Sequence, residues 1–150
     1  RLEIRHEHFV SERLEDLLRS LRVEIEPRGG PIVLLATLSG ELHGLGMHMA
    51  GLVTALCGFT PRVLGTDTPN EEIAKAAKEA GASAVAISIS LATGGVKTDR
   101  ILADLRGRLP EQTRLVVGGR GARGVRRGPR GVDYVTDLED LERWLEALVE

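Results

Sequence analysis

A glutamate two residues before a histidine opens the most chemically suggestive stretch of this 150-residue chain, Ser39-Gly40-Glu41-Leu42-His43-Gly44-Leu45-Gly46. A carboxylate at that spacing can accept a hydrogen bond from one imidazole nitrogen and leave the other nitrogen to a metal. The glycines, Gly46 among them, leave room for a bulky group to approach. Taken alone, E-x-H fits a strand-to-helix loop with a surface histidine better than it fits a ligand. Two later segments add small and polar residues, Ser88-Ile89-Ser90-Leu91 and Gly118-Gly119. Hydroxyls that end a buried apolar strand can bond the polar edge of a ligand, and paired glycines let a flat group lie against the backbone. Each of these is, by itself, also ordinary turn chemistry.

The elements that must position these residues follow from the hydrophobic pattern. From residue 31 onward, short β-branched runs alternate with helical patterns. Ile32 to Leu38 is a continuous apolar run followed by a helical pattern over 45 to 58, and Arg62 to Gly65 is a short strand followed by a helix over 70 to 80. Asn70 reads as the N-cap of that helix and Gly81 as its stop. Val85 to Ser90, a helix over 98 to 108, Leu115 to Val117, a glycine- and arginine-rich stretch, Tyr134 to Thr136 and a helix over 138 to 149 complete the series. Doubly buried strands alternating with helices predict an α/β fold, a five-stranded parallel sheet with helices on both faces. The flavodoxin-like (Rossmann-like) order 2-1-3-4-5 suits five strands, and ligands then sit outside the carboxyl ends of the strands near the switch between strands 1 and 3. All three segments follow strands 1, 3 and 4.

Before this unit, residues 6 to 22 read as a helix, with Val10, Leu14, Leu17, Leu18 and Leu21 at helical spacing. At about 100° per residue, Glu7 falls within that apolar stripe while His8 and Phe9 lie off it, so the helix has surfaces for two neighbours. Pro27 to Pro31 is the best linker, dividing the chain into 1–26 and 27–150.

Composition bounds the function classes. The chain is 42% hydrophobic and 28% charged with a formal net charge of -2, which makes one domain's worth of core and excludes a wholesale nucleic-acid or polybasic membrane binder. Aromatics are only 3%, so Val, Leu, Ile and Ala must fill the core. No apolar run reaches the roughly 18 residues needed to span a bilayer. The one cysteine, Cys57, cannot form an internal disulfide and fits a reducing compartment, so a cytoplasmic protein is expected.

The combination of segments is more specific than any one of them. Forty-one residues separate Gly46 from Ser88 and twenty-seven separate Ser90 from Gly118. These intervals resemble the cobalamin-binding fold of methionine synthase and the B12-dependent mutases, whose signature is D-x-H-x-x-G, then S-x-L, then G-G. The resemblance covers residue 31 to about 150 and implies that His43 replaces the cofactor's dimethylbenzimidazole as the lower cobalt ligand. It implies as well that the displaced nucleotide tail enters a pocket lined by Ser88, Ser90, Gly118 and Gly119. Two residues depart from the signature: Glu41 stands for the aspartate, leaving its bond to His43 either direct or water-mediated, and Ser90 stands for the leucine.

The first helix extends the match. Glu7-His8-Phe9, Glu41-Leu42-His43, Leu45-Gly46-Met47 and Leu64-Gly65-Thr66-Asp67-Thr68-Pro69 resemble the light-responsive, MerR-type B12 repressors. That likeness implies that residues 1–26 hold the last helix of a bundle above the corrin, with the remaining helices and a DNA-binding domain upstream. It implies a switch rather than an enzyme: adenosylcobalamin bound in the dark, His8 as an upper ligand after light breaks the cobalt–carbon bond, and Glu7 beside the adenosyl group. Homo-oligomers and DNA, the latter only through the upstream domain, would be the partners. Glu7 and His8 fit equally a plain helix turn.

Other signals carry less. Gly119-Arg120-Gly121-Ala122-Arg123-Gly124 matches G-x-G-x-x-G but follows the fourth strand, where a dinucleotide fingerprint does not belong. Arg120, Arg123, Arg126, Arg127 and Arg130 read as a solvated basic loop that would otherwise meet a tail phosphate, a partner or DNA. His48 lacks Cys or His partners at zinc spacing and reads as a helix histidine. Cys57 reads as core. Two other functions stay open: a corrinoid carrier or mutase small subunit, and a haem sensor using the same histidine. The Ser88, Ser90 and Gly118-Gly119 set argues against haem, which has no nucleotide tail.

Overall fold

The computed structural model describes residues 4–25, 29–122 and 128–150; the side chains of Ile4, Glu7 and His8 lie outside that description, as does the break at 26–28. Parallel strands β1 (Ile32–Leu38), β2 (Thr60–Thr68), β3 (Ala84–Ser88), β4 (Arg114–Gly118) and β5 (Asp133–Tyr134) form one sheet in the order β2-β1-β3-β4-β5. Helices α2 (Leu45–Leu56), α3 (Asn70–Ala80), α4 (Val96–Arg108) and α5 (Leu138–Leu148) cover it, and α1 (Ile4–Ile25) lies outside, against α2. The predicted fold class and strand order are those observed.

Because successive strand residues point to opposite faces, β1 divides its side chains between two cores. Leu34, Ala36 and Leu38 pack with Ile73 and Ala77 of α3 and Leu102 and Leu105 of α4. Val33 and Leu35 pack with Met47 of α2, Phe59, and Leu141 and Leu145 of α5. Both cores are almost wholly aliphatic, as the shortage of aromatics requires.

Several element ends differ from the sequence reading. β2 runs over Thr60–Thr68, longer than 62 to 65, because it is an edge strand and tolerates Pro61 and the left-handed Gly65, where its register against β1 shifts. β3 stops at Ser88, since the Ser90 N–H turns away to the Glu41 carboxylate. Asn70 is not the N-cap of α3: Pro69 holds that position, and the Asn70 amide donates to the Ile101 carbonyl and to Asp104, tying α3 to α4. Gly81 does end the helix, at φ 62°.

α1 meets the domain through a face that the leucine pattern does not mark. Its half-buried residues are Ser11, Glu15, Leu18 and Arg22, spaced three and four apart. The Glu15 carboxylate lies against Gly44 and the Arg22 side chain against Gly51, a seven-residue step on both helices, so α1 and α2 run parallel. Val10, Leu14, Leu17 and Leu21 remain 46%, 43%, 55% and 40% exposed.

Facing α1 from α2 is His48, 6% exposed, with its Nδ1 buried and no hydrogen-bond partner among the described residues. Burial, followed by Arg19 and Arg22, lowers its pKa below 6.5, while Asp16 acts in the opposite sense. A depressed histidine pKa contributes stability that is full above the unfolded value and is lost as pH falls through the folded one. Urea unfolding should therefore show the native chain losing stability as pH drops below about 6.5, with earlier proteolysis in α1. The His48→Leu variant should lack that slope, and equal slopes would remove His48 as the cause.

Candidate functional site

The loop after β1 folds around a carboxylate that sequence alone would place in solvent. Glu41 is 2% exposed. Its Oε2 lies 2.9 Å from His43 Nδ1, and its Oε1 accepts hydrogen bonds from the Ser90 N–H and, at 2.7 Å, from the Thr93 hydroxyl. The bond to His43 is thus direct, without a bridging water. Burial raises the Glu41 pKa, but the interactions with Ser90, Thr93 and His43 outweigh it and hold the carboxyl at about 2.

That charge decides the histidine's tautomer. An ionised carboxylate only accepts, so Nδ1 must carry a proton, and in the neutral ring Nε2 then holds the lone pair. The His43 side chain is 74% exposed, leaving Nε2 accessible at the rim. Backbone contacts hold the loop in place: the Thr37 hydroxyl donates to the Glu41 carbonyl at 2.7 Å, and Asp67, at φ 50°, donates its N–H to the same carbonyl and accepts from the Gly40 N–H. Among the described residues no three His, Cys, Asp or Glu side chains gather around a common point.

Below this rim, between the sheet and helices α2 and α5, lies a cavity of about 1000 Å³. His43, Gly46, Ser88, Ser90, Gly118 and Gly119 all line it, so the structure brings six of the sequence-predicted residues into one space, and Glu41 stands behind His43. The cavity exists because small residues face it. A Cβ on Gly46 would sit 2.9 Å from the Ser88 hydroxyl, and one on Gly118 would sit 3.1 Å from Val135. Gly119, at φ +98°, abuts the Ile89 carbonyl, where any Cβ would overlap it. The Ser90 side chain sits beside the Glu41 carboxylate and, with the Ser90 N–H, helps to hold that group ionised.

Glu7 and His8, the other two predicted site residues, have side chains outside the described part of the structure. Their backbone belongs to α1, and position 8 lies seven residues before Glu15, about 10 Å of helix rise beyond the level of Gly44. The N-terminal half of α1 therefore projects past the carboxyl-end rim.

The sequence reading missed Thr93, Asp67, Arg120 and the 136–139 segment that closes the cavity at the start of α5. Thr93 and Asp67 carried no signal, since a threonine and an aspartate in loops are ordinary. Arg120 was visible only as part of a basic run. Cys57 is half-buried beside the α2/α5 core, and burial, then Glu142 and Glu146, push its thiol pKa up. Arg123 to Arg127 lie outside the described residues.

Because the Glu41 pKa is depressed, its contribution to stability is full above about 4.5 and is lost as pH falls toward about 2. Glu41→Gln should destabilise the chain by on the order of 2 kcal/mol at neutral pH. Urea unfolding across pH should show the gap between native and variant closing through that acid window. A gap independent of pH would mean that the loop is held by packing rather than by charge.

Residues 31–140 match the B12 binding domain family. The chain is 33% identical over 145 residues to the HTH-type transcriptional repressor CarA of Myxococcus xanthus, covering 94% of this chain and 50% of the repressor. It is 28% identical over 88 residues to the corrinoid protein DSY3155 of Desulfitobacterium hafniense strain Y51, covering 58% of this chain and 41% of that protein. The chain thus spans half or less of the curated relatives it matches. A crystal structure of a cobalamin-binding protein from D. hafniense DCB-2 superposes with a TM-score of 0.62 at 22% identity, covering 95% of this chain and 69% of that one, a likeness of fold. With the family match spanning every strand of the sheet and the whole rim of the cavity, the chain belongs to the B12-binding domain family.

Proposed function

We propose that this chain binds cobalamin in the base-off/His-on form, with His43 as the lower cobalt ligand and the nucleotide tail in the cavity lined by Ser88, Ser90, Gly118 and Gly119. The observation that carries the reading is the buried, ionised Glu41 holding Nδ1 of an exposed histidine at the mouth of a 1000 Å³ cavity. The residues fit the group. Nε2 offers one lone pair to a metal that brings its own macrocycle, and Gly46, Gly118 and Gly119 leave the tail its space. Exposed Leu42, next to His43 in the chain, and exposed Leu91, on the wall of the same cavity, would give a flat ring apolar surface.

The chain serves as the sensory module of a B12-dependent transcriptional regulator rather than as an enzyme, with adenosylcobalamin as its form of the cofactor and light as its signal. Similarity to the M. xanthus repressor over 145 residues supports this, as does the projection of α1 past the rim. Residues 1–26 would be the last helix of a capping bundle and 27–150 the cobalamin domain. Upstream helices would bury the Val10, Leu14, Leu17 and Leu21 stripe, and an upstream domain would contact DNA. Bound adenosylcobalamin supplies a cobalt–carbon bond that light can break. Glu7 would flank the adenosyl group, and His8 would ligate the upper face afterwards, shifting the bundle and its self-association. Similarity to the D. hafniense corrinoid protein favours a second reading, a methyltransferase corrinoid carrier.

An absorption titration with adenosylcobalamin in the dark, repeated after green illumination, separates the two. Saturable binding with a protein-specific light product supports the sensor, and binding without one supports the carrier. His43→Ala should shift the bound spectrum to a base-on or water-ligated form, whereas an unchanged spectrum removes His43 from the cobalt. His8→Ala should leave dark binding intact and alter the illuminated product. Identical light products from native and variant chains would overturn its role.

A further inference from the structure

The edge strand β2 is irregular at its carboxyl end. Val63 pairs with Leu35, Gly65 with Ala36 and Thr68 with Leu38, so β2 carries an extra residue at each of these two steps against β1. Bulges of this kind bend a strand and re-aim the residues around them. Within the bulged stretch lies Asp67, at φ 50° the one non-glycine with a left-handed backbone among the described residues. That conformation is unfavourable for a residue with a Cβ, least so for Asp and Asn, and it persists where the surroundings hold it.

What the bulged end grips is the loop that carries His43, and it does so on both sides of that residue. Before His43 the chain turns through Leu38 to Glu41, with the Glu41 N–H donating to the Leu38 carbonyl at 3.0 Å and Gly40 at φ 87°. The Asp67 carboxylate accepts the Gly40 N–H at 2.7 Å. Its own N–H is shared between the Thr37 hydroxyl at 2.9 Å and the Glu41 carbonyl at 3.0 Å. One residue thus turns both its donor and its acceptor to the same turn. After His43, the Thr66 methyl lies 3.0 Å from where a Cβ on Gly44 would stand.

We infer that the bulged end of β2 pre-organises the lower ligand, with Asp67 as a positioning residue that fixes the Gly40–Glu41 backbone and so fixes where His43 stands; the inference rests on the proposed His-on mode. A protein histidine on cobalt competes with a base that cobalamin carries on its own tether, and tethering gives that base a high effective concentration. The exposed His43 ring is oriented through Nδ1 by Glu41, but its position follows the backbone beneath it. On a loose loop it would lose conformational freedom at the moment of binding, and the tethered base or water would gain in the competition. Glu41 orients the ring; Asp67 and Thr66 hold the loop that places it.

Two substitutions isolate the Asp67 carboxylate. Asp67→Gly keeps the N–H and adopts the left-handed backbone freely but has no acceptor for Gly40, whereas Asp67→Asn keeps an acceptor and tolerates the same backbone. Cob(II)alamin bound to the nitrogen-15-labelled chain is read by electron paramagnetic resonance, in which a labelled protein nitrogen on cobalt splits each line into a doublet and the cofactor's own base splits it into a triplet. Thermal melts of the cobalamin-free chains confirm folding. The native chain should give doublets. Asp67→Gly should shift the ratio of protein-ligated to base- or water-ligated cobalt about tenfold away from the protein, and Asp67→Asn should recover most of the native signal. Native-like doublets in Asp67→Gly overturn the role, as does an equal loss in Asp67→Asn. A lowered melting temperature with unchanged ligation overturns it too, leaving Asp67 a structural residue alone. Triplets in the native chain overturn instead the His-on reading itself.

Discussion

A carboxylate kept charged at 2% exposure cannot be left to itself, and the donors that satisfy Glu41 tie the rim of this molecule together. One oxygen is met by His43 from its own loop, and the other by the Ser90 N–H and the Thr93 hydroxyl from the loop after β3. These two loops flank the point where the chain's strand order reverses, between β1 and β3. Neither can be placed without the other. The same carboxylate that ends β3 as a strand orients the imidazole, so the end of that strand and the direction of the ring have one physical origin.

The two faces of the sheet are treated unequally. Against α3 and α4, Leu34, Val85, Ile87 and Val117 fill the space, and the helices close on them. Against α2 and α5, the carboxyl end of the sheet presents Ala86, Ser88 and Gly118, and the helices stand off a hollow. Packing that hollow with larger side chains would add apolar burial. The chain forgoes it in a core already poor in aromatics, and that is the arrangement expected where a long ligand tail replaces side chains.

α1 packs on α2 and extends past the carboxyl-end rim of the sheet. Its contact with α2 runs through Ser11, Glu15, Leu18 and Arg22, a polar-rich seam that includes the buried His48, while Val10, Leu14, Leu17 and Leu21 face outward. A helix that keeps its most apolar stripe exposed and projects past the rim is suited to transmit a change at the corrin's upper face to neighbouring helices, as the proposed sensor requires.

Much of this could be read from residue order. Alternating apolar runs and helical periods specify the doubly wound sheet because strands buried on both faces need uninterrupted aliphatics, and the spacing of Glu41-x-His43, Ser88-x-Ser90 and Gly118-Gly119 marks one rim because each follows a strand of that sheet. Element ends were less legible. The extent of β2 depends on its position at the sheet edge, the end of β3 on a carboxylate 49 residues away, and the capping of α3 on an asparagine drawn instead to α4. Thr93 and Asp67 were illegible as site residues, since each acquires its role only from a partner distant in sequence. The sequence by itself determined which residue types recur at which period, and hence the fold and the rim. Only the tertiary structure decided which side chains share a charge, a cavity or a helix face, because those pairings depend on distances that chain closure sets.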